Sequence, residues 1–295
     1  MKKFVLVLAM VLATGAAQAQ VSVYGKVRQY VDNDKVGTAA GVTALTNDTS
    51  RIGIKATEKL SNGLTATAVI ETGLGADAPG ATTLGDREST VGLAGQSFAV
   101  RAGRAKHAYD EFIYNISPID DYAAFTNTIH GRPTSRIQNA VFGAVNVGPA
   151  AVRYDRGLSE VANGTDVQSG SISAKIGPVA VTAAHHTGSG SDYTAAGASF
   201  KAGIATVYGL WSEKKTAGAV VNTGKSVGVA VPVAGTAVTM RGSYGINTAD
   251  TKGYNVAATY AFSKTTQAHA VYRKENAVLS SADRQQFGIG LEYNF

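Results

Sequence analysis

Val21-Ser22-Val23-Tyr24-Gly25-Lys26-Val27-Arg28-Gln29-Tyr30-Val31 alternates with a period of two. Val21, Val23, Val27 and Val31 fall on one parity; Ser22, Tyr24, Lys26, Arg28 and Tyr30 fall on the other. Successive side chains of a strand point to opposite faces. This segment therefore has one aliphatic face, and a second that carries two cations and two tyrosines. The fold turns on what lies against the cationic face.

The same pattern recurs along the chain. Ser50 to Leu60 (SRIGIKATEKL) and Leu64 to Leu74 (LTATAVIETGL) alternate around the turn Ser61-Asn62-Gly63. Further runs flank Gly95-Gln96, Gly148-Pro149 and Gly177-Pro178, pairs that read as hairpin turns. In all, the runs predict about sixteen strands, near 21–31, 50–60, 64–74, 86–94, 97–104, 134–147, 150–157, 168–176, 179–187, 192–201, 204–213, 224–231, 236–246, 252–262, 265–275 and 284–295. Connections alternate short and long. No helical-period stretch, linker or composition shift interrupts them, which predicts one all-β domain over residues 20–295.

Residues 1–19 read as a signal peptide. Lys2 and Lys3 precede the apolar Phe4 to Leu12, and Ala17-Gln18-Ala19 is a small-x-small cleavage site. The 295 residues include no cysteine, which excludes a disulfide framework and thiolate metal sites. The formal net charge of +6 is dispersed, with no basic block to suggest nucleic acid. No run of about 18 apolar residues follows the leader.

Polarity separates a soluble β protein from a membrane barrel. Phe287, Ile289, Leu291, Tyr293 and Phe295 share one face of the last strand, opposite Gln286, Gly288, Gly290, Glu292 and Asn294. Aromatic residues gather at run ends (Tyr208 and Trp211, Tyr260 and Phe262, Tyr293 and Phe295), as in the interfacial girdles of outer-membrane barrels. Strands of about 9–11 residues suit a bilayer crossing. A Lys or Arg facing lipid near the midplane costs roughly 2–4 kcal/mol, so Lys26 and Arg28 must face the inside. About sixteen antiparallel strands enclose a water-filled lumen. The expected fold is a transmembrane antiparallel β-barrel.

One connection breaks the alternation. Residues 105–133 are rich in aromatics and hold Asp110, Glu111, Asp120 and Asp121. Loops of this length are usually functional or disordered, and the aromatic content argues against disorder. The expectation is a third loop folded into the lumen as a constriction, with an extracellular cap as the plainer alternative. Lys26, Arg28, Arg51, Lys55, Arg87 and Arg136 are candidates for a basic wall facing those four acids. Rings of charged side chains set ion preference, and the excess of bases predicts an anion preference.

The chain resembles the general (trimeric) porins of Gram-negative outer membranes, in their betaproteobacterial branch. The likeness lies in Tyr24-Gly25-Lys26, Ser50-Arg51-Ile52-Gly53-Ile54-Lys55, Arg87 with Val91-Gly92-Leu93, Gly103-Arg104 leading to Tyr109-Asp110, and the terminal Tyr293-Asn294-Phe295. The resemblance implies a sixteen-stranded barrel, a homotrimer, passage of ions and small hydrophilic solutes, and no cofactor. It implies contact with outer-membrane lipid and lipopolysaccharide. It also makes Phe287, Ile289, Leu291, Tyr293 and Phe295 an assembly signal read by the barrel-assembly machinery. Gln20 is expected to abut Phe295.

Other motifs carry less. Gly218 to Ser226 is one residue too long for a phosphate loop, and no crossover helix follows. Asp32-Asn33-Asp34 starts like a calcium loop but has Thr43 where a bidentate Glu is needed. Adjacent His185 and His186 point to opposite faces of a strand. No G-x-S-x-G stretch marks a nucleophile. A substrate-selective channel, an outer-membrane hydrolase and a soluble exported β protein stand as alternatives to a diffusion channel.

Overall fold

The computed structural model describes residues 19–77, 83–116, 125–162, 164–276 and 283–295. The leader read over residues 1–19 lies, apart from Ala19, outside that set. Seventeen strand segments form one closed antiparallel barrel of sixteen staves. Strand β1 (Gln20–Val36) is long enough to carry two partners end to end on one edge. The upper half of β1 pairs with β2 (Val42–Asn47), as in Val31 opposite Leu45. Its lower half pairs with β3 (Arg51–Lys59), as in Val23 opposite Ile54. Between them Thr49 adopts φ 58°. Ser50 patches the gap: its Oγ accepts from the Arg28 N–H at 2.9 Å and donates to the Arg28 carbonyl at 3.2 Å. The segment β2 was not expected, because Asn47-Asp48-Thr49 ends its alternation after only six residues.

The remaining staves are β4 (Thr65–Gly73), β5 (Glu88–Ala94), β6 (Phe98–Lys106), β7 (Arg136–Val147), β8 (Ala150–Gly157), β9 (Val167–Ile176), β10 (Val179–Gly188) and β11 (Ser191–Ala202). They continue as β12 (Ala205–Thr216), β13 (Ala219–Pro232), β14 (Val238–Asn247), β15 (Lys252–Ala261), β16 (Thr266–Asn276) and β17 (Arg284–Asn294). Each pairs with its sequence neighbour, and β17 returns to β1 with Arg28 opposite Glu292. Closure leaves no edge, so the backbone polar groups of the staves are satisfied within the wall.

Parity sorts the two faces as expected. Lys26 and Arg28 are 6% and 4% exposed on the inside, while Val21 and Val23 are each 59% exposed on the outside. Phe287, Ile289, Leu291, Tyr293 and Phe295 are all exposed on the outer face of β17. Tyr260 and Phe262 stack edge to face there, with centroids 4.9 Å apart. Tyr208 does not join this girdle. It lies three residues from Trp211, so the two occupy opposite faces, and Tyr208 is buried inside. The termini also differ from expectation. The Gly25 N–H donates to the Phe295 carbonyl at 2.9 Å and the Phe295 N–H to the Gly25 carbonyl at 3.1 Å. Gln20 therefore runs past the end of β17, opposite Thr57 on β3.

One rim carries short turns throughout, among them Gly148-Pro149 and Gly177-Pro178. The other rim carries the longer loops, but its alternation fails twice, where Ser189-Gly190 and Ala217-Gly218 close hairpins in two residues. No helix was expected, yet α1 (Ala108–Ile116) and α2 (Phe125–His130) form within the long connection. A segment inside a barrel has no sheet edge to pair with, and local helical bonds satisfy its backbone.

Three inward tyrosines lie over cross-strand glycines: Tyr24 over Gly53, Tyr30 over Gly290 and Tyr208 over Gly228. A Cβ at Gly290 would fall within the Tyr30 ring. Gly290→Ala is expected to cost roughly 1–3 kcal/mol by overpacking and to lower the urea midpoint of the lipid-reconstituted protein. Gly242→Ala, where a Cβ meets only a carbonyl oxygen at 3.8 Å, should shift it far less.

Candidate functional site

The long connection lies inside the barrel. Helix α1 packs against β8 to β12, and α2 against β12 to β15. Tyr109 and Phe112 of α1 enter an apolar cluster with Ala184, Tyr193, Ala195, Tyr208 and Leu210, all on inward faces. Helix α2 is tied by polar contacts. His130 Nδ1 lies 2.7 Å from Ser212 Oγ, and its Nε2 lies 2.9 Å from Ser226 Oγ. Asn222 donates to the Ile129 carbonyl at 3.1 Å and Asn247 to the Thr128 carbonyl at 3.0 Å. The described parts of the loop thus cross from β6 and dock on the wall from β8 to β16, where Arg273 donates to Thr128 Oγ1 at 3.3 Å.

The start of α1 explains its acids. Asp155 accepts from the Ala108 N–H at 2.5 Å, and Ser169 Oγ accepts from the Tyr109 N–H at 3.0 Å. Carboxylates in a first helical turn suit the helix dipole. Asp110 sits there with no exposed surface, 3.6 Å from Lys106 Nζ and 3.4 Å from Arg132. Burial raises its carboxyl above the ordinary range, opposed by Arg132 and Lys106. It offers no surface to the lumen. Glu111 lies between Arg101, at 3.7 Å, and Arg153, with which it makes direct contact. Asp120 and Asp121 lie outside the described residues.

The candidate wall residues lie on β1, β3 and β7 and, for Arg87, just before β5. Arg28 reaches Asp48 at 2.7 Å and Glu292 at 3.3 Å, and Lys26 stands 3.9 Å from Glu292. Arg51 and Arg87 share Glu71, at 3.5 and 2.7 Å. Arg136 Nε donates to the Arg87 carbonyl at 2.6 Å. Lys55 is exposed, with no described carboxylate within ion-pair distance. The wall acids Glu71 and Glu292 escaped the sequence reading, as did Arg101, Arg132 and Arg153. Glu71 shares the inward parity of Thr67 and Val69, but only the register Gly53 opposite Glu71 brings it to Arg51.

Other candidate chemistry does not assemble. No group of three His, Cys, Asp or Glu side chains among the described residues is placed to hold a metal. Asp32 and Asp34 belong to β1, bonded to Gln286 and Arg284, so they form no calcium loop. His185 is exposed, whereas His186 turns inward and lies against His107, the rings tilted by 30° with centroids 4.4 Å apart.

Two docking histidines titrate well below the ordinary value of about 6.5. Burial lowers His130 to about 4. Burial, and then the neighbouring His186, lower His107 to about 3. Both are neutral in the docked loop. Docking is fully stable above the free value and weakens as pH falls from about 6.5 through 4, because the released loop binds more protons. Single-channel recordings should show closures and noise rising over that window. His130→Gln, which still hydrogen-bonds but does not titrate, should flatten part of the dependence.

Comparisons agree with this geometry. The family model described as Gram-negative porin matches residues 6–295. The major outer membrane protein P.IA of Neisseria meningitidis is 32% identical over 165 residues, which cover 48% of this chain and 40% of that protein. The matched stretch is thus about two-fifths of that relative's length. The anion-selective porin from Comamonas acidovorans has a TM-score of 0.78 at 19% identity, over 94% of this chain and 100% of its own. OmpT of Vibrio cholerae, in a structure described as its trimer form, has a TM-score of 0.74 at 15% identity, over 94% of this chain and 99% of its own. With the closed barrel, the inward loop and a family match across nearly its whole length, the chain belongs to the Gram-negative porin family.

Proposed function

We propose that the protein is a passive diffusion channel for ions and small hydrophilic solutes, with a preference for anions. Its family places it in the outer membrane. The observation that carries the channel reading is the barrel of sixteen staves, closed on itself, jacketed by exposed apolar side chains and carrying its buried charged side chains on the inner face. A barrel of that size keeps an aqueous lumen, and the docked loop narrows it. No chemical step or cofactor is involved.

The anion preference rests on Lys26, Arg28, Arg51, Lys55, Arg87 and Arg136 gathered on one wall, with the described loop acids drawn to cations near α1. Glu111, Asp120 and Asp121 are the loop carboxylates proposed to face the opening; Asp110 acts from beneath α1, holding the loop through Lys106 and Arg132. A neighbour of the same fold is described as an anion-selective porin. The homotrimer, contact with lipopolysaccharide and recognition of Phe287 to Phe295 by the assembly machinery are proposed on the same footing. Following the usual arrangement of such barrels, the short-turn rim faces the periplasm.

The test is the zero-current potential of the purified protein in a planar bilayer under a salt gradient. Large ohmic steps with an anion-selective potential are expected. Changing Arg51, Arg87 and Arg136 to Ala should reduce that potential while keeping the steps. Cation selectivity, or a potential indifferent to the three changes, contradicts the wall assignment.

A further inference from the structure

The ion pairs of the lumen are unevenly distributed along its axis. Near the loop, cations meet acids: Arg51 and Arg87 at Glu71, Arg101 at Glu88 and Glu111. Toward the short-turn rim the acids run out. Lys55 lies four residues below Arg51 on β3, about 13 Å at strand rise, and shares its inward parity opposite the exposed Ile52 and Ile54. Lys175 follows the inward Ser169 on β9, with Ile172 and Ile176 exposed on the other face. Lys201 shares parity with the buried Tyr193 and Ala195 on β11, opposite the exposed Phe200. Lys175 and Lys201 each stand two residues before a turn glycine, Gly177 and Gly203. All three lysines are exposed, and no described carboxylate lies within ion-pair distance of any of them. In this half of the staves the one inward acid among the described residues is Glu292, already held by Lys26 and Arg28.

We infer that Lys55, Lys175 and Lys201 form a cation-lined vestibule between the loop and the short-turn rim, and that this vestibule is a determinant of anion selectivity separate from the constriction. Lys175 and Lys201, on staves separated only by β10, face Lys55 on β3 from the far side of the barrel, so their fields add at its axis. Charges within low-dielectric walls enrich counter-ions before they reach the narrow part. Without paired acids, the three lysines act as net charge, whereas Arg51 and Arg87 are partly neutralised by Glu71. The inference rests on the diffusion-channel reading and locates part of its selectivity at one end.

A charge at one end leaves a directional signature. The screening length is about 10 Å at 0.1 M salt and about 3 Å at 1 M. Selectivity is therefore stronger when the dilute solution bathes the short-turn rim, and weaker when the concentrated one does. The experiment measures zero-current potentials of single channels of known orientation under a gradient applied in each direction. The chain has no cysteine, so a biotin on Glu160→Cys, in the loop of the opposite rim, reports orientation by the chamber from which streptavidin perturbs the current. The expected result is a larger anion-selective potential with dilute salt on the short-turn side, and loss of that difference in a Lys55→Ala, Lys175→Ala, Lys201→Ala variant that still conducts. Equal potentials in both directions, a difference of opposite sign, or a difference that survives the triple change overturns the vestibule. Steps with a symmetric potential reject the vestibule alone; absence of conductance in the unmodified protein rejects the channel reading, and the vestibule with it.

Discussion

Charge cannot face hydrocarbon, and the rest of this structure follows from that constraint. Lys26 and Arg28 share a parity with Tyr30 and Asp32, and each would meet lipid if β1 were turned over. The aliphatic parity must then take the lipid side, and every stave paired to β1 inherits the same sense through its register. Once both edges of the sheet must also be satisfied without water, the staves have one solution, closure of β17 onto β1. The mutual hydrogen bonds of Gly25 and Phe295 mark where that closure ends.

The lumen so formed is divided. From β8 to β15 its wall is lined with small hydroxyl side chains and inward aromatics, and this is where the loop docks. Tyr109 and Phe112 supply apolar burial there, and His130 supplies a ring bonded on both nitrogens to serines of neighbouring staves. The staves from β16 through β1 to β7 hold most of the charge. The loop therefore narrows the lumen from the side that carries less charge. Two outer turns are only two residues long along the docking wall, at Ser189-Gly190 and Ala217-Gly218, so the loop meets little competition for that surface from above.

Much of the fold was legible because a period of two is a local signal: the stretch Val21–Val31 of β1 suffices to assign both faces. The signal fails where it is short or where register decides. Val42–Asn47 offered only six residues before a polar turn, and its role depends on β1 being long enough to hold two partners. Tyr208 looked like girdle because of its place near a strand end, although its parity relative to Trp211 already put it inside. The basic wall was visible as same-parity cations. Its acids were not, because Glu71 and Glu292 are single residues whose meaning comes from cross-strand neighbours. Asp110 and Glu111 were visible as loop acids, but the helix that buries one and places the other between Arg101 and Arg153 is set by tertiary docking, not by any periodicity in 105–133.

The most direct test of the central claim uses the absence of native cysteine. Single cysteines at inward positions Ser173 and Lys55, and at their outward neighbours Ile172 and Ile54, would be exposed to a water-soluble, membrane-impermeant thiol reagent after reconstitution in lipid. A water-filled lumen bounded by this alternation predicts fast labelling at 173 and 55 and protection at 172 and 54. Labelling of the outward pair, or equal rates within each pair, would contradict it.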